Sequence, residues 1–223
     1  MKTGKTPRKR APSTEKVDWN SALQPLFKKY KGRKHPLDYH NLYELIVLVI
    51  LSSQMTDDRI NALAPAFFIR YPTLKQLATV KPEDMYDIIR SVRGSKKKAK
   101  WLVNIATTVR DDATLPRTME GLTSFPGIGR KSANVIIRES GGKAEGIIAD
   151  LHVLRVVPRL GITKEEKPEK LEKVLMEIIP QEQWNDAGMS FSFLGRELCR
   201  PTDPRCGECL MNSVCEYYRK SKR

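Results

Sequence analysis

The densest chemistry in this 223-residue chain lies near its C-terminus, in Cys199, Cys206, Cys209 and Cys215, spaced C-x6-C-x2-C-x5-C. No other cysteine occurs, so no disulfide can tie this segment to the rest of the chain. Four thiols so close in sequence can converge on one small volume, as a tetrahedral metal ion or an iron–sulfur cube requires. Two disulfides in a secreted module fit poorly, because the start MKTGKTPRKR is charged and has no apolar core to act as a signal peptide. Zinc sites usually pair their ligands as two short knuckles. Only Cys206 and Cys209 form such a knuckle here, and the outer spacings are longer. The pattern favours an iron–sulfur cluster and leaves zinc open.

A second chemical signal is the segment Phe125-Pro126-Gly127-Ile128-Gly129-Arg130-Lys131, which joins two helical patterns. Gly-x-Gly permits positive φ and bares backbone N–H groups. The helix that follows begins with unpaired N–H groups of its own. Such a turn can grip a phosphate without reading a base, with Ile128 anchoring it in the core. Any tight turn between helices can use Gly-x-Gly, so the longer string carries the specificity.

These residues must be positioned by helices. Leu23, Leu26, Phe27 and Tyr30 recur at helical spacing, and residues 42–53 read as a buried helix. Thr56 or Asp57 can cap a helix through Ile60, Leu63, Phe67 and Phe68, which Pro65 is expected to kink or restart. Pro82 suits a first turn. Helical patterns continue over 101–109, 131–139, 151–160, 171–179 and 187–199, and no segment shows strand alternation flanked by hairpin turns. The expected class is all-α. Lys plus Arg total 40 against 26 Asp plus Glu, a net charge of +14 that favours a polyanionic partner such as nucleic acid. Excess lysine can also serve solubility alone. The longest apolar run, Leu45 to Leu51, falls far short of the roughly 20 residues of a membrane span, so an intracellular protein is expected. Residues 1–16 are basic and poor in large apolar side chains, and read as a disordered arm.

Four ordered motifs carry a family resemblance. The string from Leu122 through Phe125-Pro126-Gly127-Ile128-Gly129-Arg130-Lys131-Ser132-Ala133-Asn134-Val135 resembles the helix-hairpin-helix of the endonuclease III family of DNA glycosylases. Leu51-Ser52-Ser53-Gln54-Met55-Thr56-Asp57 resembles its glutamine-bearing loop, and Ala149-Asp150-Leu151-His152-Val153 its aspartate motif. The cysteine spacing matches its [4Fe–4S] ligands. The resemblance spans Trp19 to Tyr218, nearly the whole chain. It implies two helical lobes flanking a DNA-binding cleft: a six-helix barrel over 35–144, and a cluster lobe built from 17–34 and 145–223.

The same resemblance makes Lys131 the nucleophile that attacks the sugar C1′, expels the base and leaves a Schiff base, from which β-elimination cleaves the strand. Attack needs the neutral amine, and only about one lysine in two thousand is neutral at pH 7 when its pKa is near 10.4. A carboxylate raises that pKa, so Asp150 serves instead to accept the lysine proton and to stabilise positive charge on the sugar. Asp150 can equally cap the following helix. Gln54 would fill the gap left by an extruded base, and His152 would sit near the phosphates. Arg93, Gly127, Gly129 and Arg130 complete the DNA-facing set. The family wedge is usually a leucine; here Gly94 stands in that place, beside Arg93 and Lys96-Lys97-Lys98. Leu151 replaces the small polar residue usual after the aspartate. Relatives that remove adenine opposite oxidised guanine lack the lysine and carry a glutamate in an earlier helix; residues 46–51 hold no acid. The expected protein is a monomeric, bifunctional glycosylase and abasic-site lyase acting on oxidised or ring-saturated pyrimidines in double-stranded DNA. The competing expectations are a non-catalytic helix-hairpin-helix DNA-binding module and a zinc-ribbon protein.

Overall fold

Asn41 opens the central helix of the molecule: its side chain accepts the Glu44 N–H at 2.9 Å, while Glu44 accepts the His40 N–H at 2.7 Å. These paired contacts satisfy donors that a helix start leaves orphaned. The computed structural model describes residues 17–222, so the expected basic arm at 1–16 lies outside the described residues. In chain order the helices are α1 (Trp19–Ala22), α2 (Gln24–Tyr30), α3 (Leu42–Ser52), α4 (Asp57–Arg70), α5 (Leu74–Leu77), α6 (Tyr86–Ile89), α7 (Ser95–Val109), α8 (Met119–Thr123), α9 (Arg130–Glu139), α10 (Val153–Leu160), α11 (Pro168–Ile178), α12 (Trp184–Glu197) and α13 (Glu216–Ser221). Short 3-10 turns link several of them. Among the described residues there is no strand, as the sequence pattern predicts.

Every residue of α3 from Leu45 to Leu51 is buried, because α4, α7 and α9 pack around it. Apolar positions of α7 at Ala99, Leu102, Ile105 and Ala106 form its inner face. A second set of contacts centres on α12, which packs on α2 and α10, with α13 against α10. The two sets share one contiguous core. Arg138 ties them together: it donates to the Asn185 and Arg33 carbonyls at 2.6 and 2.8 Å and pairs with Glu139 and Asp186.

Pro65 lies inside α4 without restarting the helix. Thr56 occupies the N-cap position of α4 but makes no side-chain cap, and Asp57 sits within the first turn. The helix expected from Leu151 begins at Val153 instead, since Asp150 holds residues 151–152 in a turn.

Candidate active site

Gly127 turns the hairpin with φ +88°, and a Cβ there would collide with the Trp101 ring. That position therefore requires glycine for both backbone conformation and space. Gly129 differs. Its φ is −92°, it caps α9 from an extended conformation, and nothing lies within 4 Å of where a Cβ would stand. Among the described residues, no side chain caps the N-terminus of α9, so it is open to approach at Gly129. Ile128 is buried beneath the turn.

Lys131, the second residue of α9, is exposed and opens onto a cleft of about 860 Å³. Gln54, Asp150 and His152 line the same cleft, together with His35, Met55, Asp57, Leu151 and Arg196. The fold thus brings together four residues that are separated in sequence by up to 98 positions, from Gln54 to His152. Gln54 has φ +63°, a left-handed conformation uncommon for a non-glycine residue, and it is exposed. Backbone strain of this kind costs about 1 kcal/mol or more and persists only where neighbours enforce it. Lys98 is one such neighbour. It is 5% exposed, and its Nζ donates to the Leu51 and Ser53 carbonyls at 2.9 and 2.7 Å, clamping the end of α3 and the Gln54 loop. Burial holds the Lys98 amine down to about 8.

Asp150 is fixed at both oxygens. Oδ1 accepts the His152 and Val153 N–H groups at 2.8 and 2.9 Å, and Oδ2 accepts the Ser192 hydroxyl at 2.6 Å. Capping and orientation therefore coincide in one carboxylate. Ser192 also accepts from Arg196 Nε at 3.3 Å, and Arg196 pairs with Asp57 at 2.5 Å. Sequence reasoning missed Ser192, Arg196 and His35. One signal was available for Ser192: a serine within the otherwise apolar Met189-Ser190-Phe191-Ser192-Phe193 run, where a buried hydroxyl needs a partner.

His152 is half-buried. Its Nδ1 accepts from Arg155 at 3.1 Å, and Arg155 also donates to the Gly195 and Cys199 carbonyls at 3.0 and 2.9 Å. Burial first, and then the nearby guanidinium groups, lower the His152 pKa, against the opposing pull of Asp150. Arg130 does not open on the cleft. Its Nε pairs with buried Glu172 at 2.7 Å and its other nitrogen donates to the Glu145 carbonyl at 3.0 Å. Arg93 is exposed, and its backbone N–H meets the Met55 sulfur at 3.4 Å, placing its loop beside that of Gln54. Of the basic run that follows, Lys96 and Lys97 are exposed and Lys98 is not.

The four cysteines line one small cavity of about 20 Å³, walled by Val156, Leu160, Leu194 and Leu198. Burial, and then mutual repulsion, push the Cys206 thiol up; burial also raises Cys209 and Cys215. Such thiols need a cationic centre to ionise. Among the described residues, no group of three or more His, Cys, Asp or Glu side chains is gathered closely enough to hold a metal ion. Four thiols lining one cavity are, by their chemistry, the donor set that an Fe4S4 cube takes. Arg159 braces the loop, reaching Cys199 Sγ at 3.6 Å and the Arg200 and Pro201 carbonyls at 2.7 and 3.1 Å.

An all-helical body, a glycine hairpin opening a helix, and an amine and a carboxylate sharing one cleft define a helix-hairpin-helix protein of the DNA-processing class. The family model described as HhH-GPD superfamily base excision DNA repair protein matches residues 47–181, and the chain belongs to that family. It is 36% identical over 192 residues to endonuclease III of Synechocystis, covering 85% of this chain and 88% of that protein. It is 32% identical to endonuclease III of Thermotoga maritima, covering 80% and 84%. Among solved structures it is similar to a trapped endonuclease III–DNA covalent intermediate, with a TM-score of 0.82 and 31% identity over 91% of this chain and 96% of that one. Among the described residues, no helix is long and apolar enough to cross a membrane.

Proposed function

We propose that this protein is a bifunctional DNA N-glycosylase and abasic-site lyase that acts as a monomer on double-stranded DNA carrying damaged pyrimidines or abasic sites. The observation that carries the reading is the placement of the exposed Lys131 amine in the same cleft as the doubly anchored Asp150 carboxylate. A protein that only binds DNA needs no such pair. Lys131 Nζ bonds to the sugar C1′ as the C1′–N bond breaks and the base leaves with its electron pair. Loss of one proton from the attached amine, and opening of the sugar as O4′ takes up a proton, give an iminium, which acidifies the 2′ proton. Removal of that proton expels the 3′ phosphate. Asp150 is held in place by three donors, stabilises positive charge as it grows on the sugar, and takes up the lysine proton. The α9 N-terminus at Gly127–Gly129 offers N–H groups to a backbone phosphate. Gln54 and Arg93 lie on adjacent loops, which supports a joint role in entering the duplex and supporting the extruded state. His152 offers a phosphate contact, and Arg130 shapes the hairpin from its pair with Glu172.

Cys199, Cys206, Cys209 and Cys215 would hold a [4Fe–4S] cluster, which when bound cross-links the C-terminal loop and supplies no step of the reaction. The packing supports a division into a barrel lobe, 35–144, and a cluster lobe, 17–34 with 145–223. The +14 charge suits work along DNA in the cytoplasm.

The test is borohydride trapping on duplex DNA bearing a ring-saturated pyrimidine. The wild-type protein should crosslink, and Lys131→Gln should lose both the crosslink and strand cleavage while keeping DNA affinity. Undiminished trapping by Lys131→Gln would overturn the assignment of the nucleophile.

A further inference from the structure

We infer that His35 is a specificity-determining residue of this site, whose Nε2–H donates a hydrogen bond to a carbonyl oxygen of the extruded pyrimidine. The inference rests on the reading above and deepens it by naming the group that reads the base. His35 lines the cleft with Lys131 and Asp150. Its Nδ1 accepts the Leu37 N–H at 3.2 Å, so that nitrogen carries a lone pair and the ring proton sits on Nε2. Among the described residues, Nε2 has no hydrogen-bond partner. The ring is therefore held by the backbone at one end and left free to donate at the other.

Electrostatics fix what it can recognise. Burial chiefly, with Lys131 and Arg196, lowers the His35 pKa to about 4 against the opposing effect of Asp57 and Glu139. The ring is thus neutral at physiological pH. A neutral N–H is a modest partner for a phosphate, which a charged imidazolium would grip more strongly. It suits an uncharged carbonyl. Nor can it act as a base toward Lys131, because both Nε2–H and the ammonium are donors. What a donor in this cleft can serve is an acceptor on the base that is turned into it, and damaged pyrimidines present carbonyl oxygens.

Two variants separate this role from a structural one. In His35→Asn the side-chain oxygen can still accept the Leu37 N–H, but the amide stops short of the Nε2 position. In His35→Gln the amide nitrogen reaches that position. The readout is the ratio of two single-turnover rates: excision of dihydrothymine from a duplex, and cleavage of the same duplex carrying an abasic site. Abasic DNA has no base to read. The ratio should fall roughly ten- to hundredfold in His35→Asn, the scale of one hydrogen bond lost in a shielded site, and recover most of that loss in His35→Gln. An equal loss on both DNAs would mean that His35 acts on Lys131, a phosphate or the fold, and would overturn the inference. So would an unchanged ratio in His35→Asn, or a His35→Gln variant no better than His35→Asn. Failure of the wild-type protein to trap either DNA would instead refute the glycosylase and lyase reading itself.

Discussion

Replacing Asp150 by asparagine isolates the charge of the carboxylate from its role in the fold. The asparagine oxygen can keep the two N–H bonds from His152 and Val153, at 2.8 and 2.9 Å in the native protein. Its amide nitrogen then faces Ser192, whose hydroxyl can rotate from donor to acceptor across the 2.6 Å contact. Ser192 would then accept from both this amide and Arg196, which remains paired with Asp57. The geometric loss is therefore small: about 1 kcal/mol for exchanging a charged hydrogen bond for a neutral one, which lowers Tm by roughly 2–4 °C in a protein of this size. The chemical loss is large. Without the negative charge and proton acceptor, excision should slow by about two to four orders of magnitude, or roughly 3–5 kcal/mol of transition-state stabilisation. Single-turnover excision and a thermal melt, run on the same preparation, decide the matter. Unchanged excision would show that Asp150 only caps α10. A Tm drop well beyond the stated range would show that the rate loss reflects misfolding. Ser192→Ala is the companion: it keeps the charge but removes one of three donors, and should slow excision by only about tenfold.

Iron and acid-labile sulfide should each assay at about four per chain, as an Fe4S4 cube requires; one zinc per chain without iron in anaerobically purified protein would refute the cluster. Neutralising Lys96 and Lys97 together should lower the salt slope of duplex binding by about 1.8, since each phosphate contact contributes about 0.9; an unchanged slope would show that neither touches DNA. Because the folded pKa of Lys98, about 8, lies below its unfolded value, folding releases a proton between about pH 8 and pH 10. Stability of the wild type relative to Lys98→Met should therefore rise across that window in urea melts at about pH 7.5 and about pH 10.5, on either side of it, and a constant difference would mean that the amine is not shifted. In Gly127→Ala, left-handed strain and the clash with Trp101 should together destabilise by about 2–4 kcal/mol, seen as a lower urea midpoint.

Local chemistry and long-range packing divide this protein cleanly. The helices follow from apolar spacing, and the hairpin from Pro126, Gly127 and Gly129, because a turn and a helix start depend on residues only a few positions apart. Cysteine spacing likewise shows the thiols converging, since the loops between them are too short to carry them far. Lys131 and Asp150 were legible as candidates because each sits beside such a local landmark, and they line one cleft. Lys98 was not. In sequence it is one of three consecutive lysines, and only the packing of α7 against the end of α3 buries its amine on two carbonyls 47 and 45 residues away. The same holds for Ser192, 42 residues from the carboxylate it orients, and for the Arg196–Asp57 pair, 139 residues apart. His35 carries no periodic or motif signal at all. Its tautomer depends on the Leu37 N–H two residues on, and its neutrality on being buried beside Lys131 and Arg196, charges that chain-local patterns cannot place. Residue types and short spacings fixed which groups could react. Which of them share a cleft, which are free and which are already engaged depended on contacts between helices far apart in sequence, where burial and charge are set by packing.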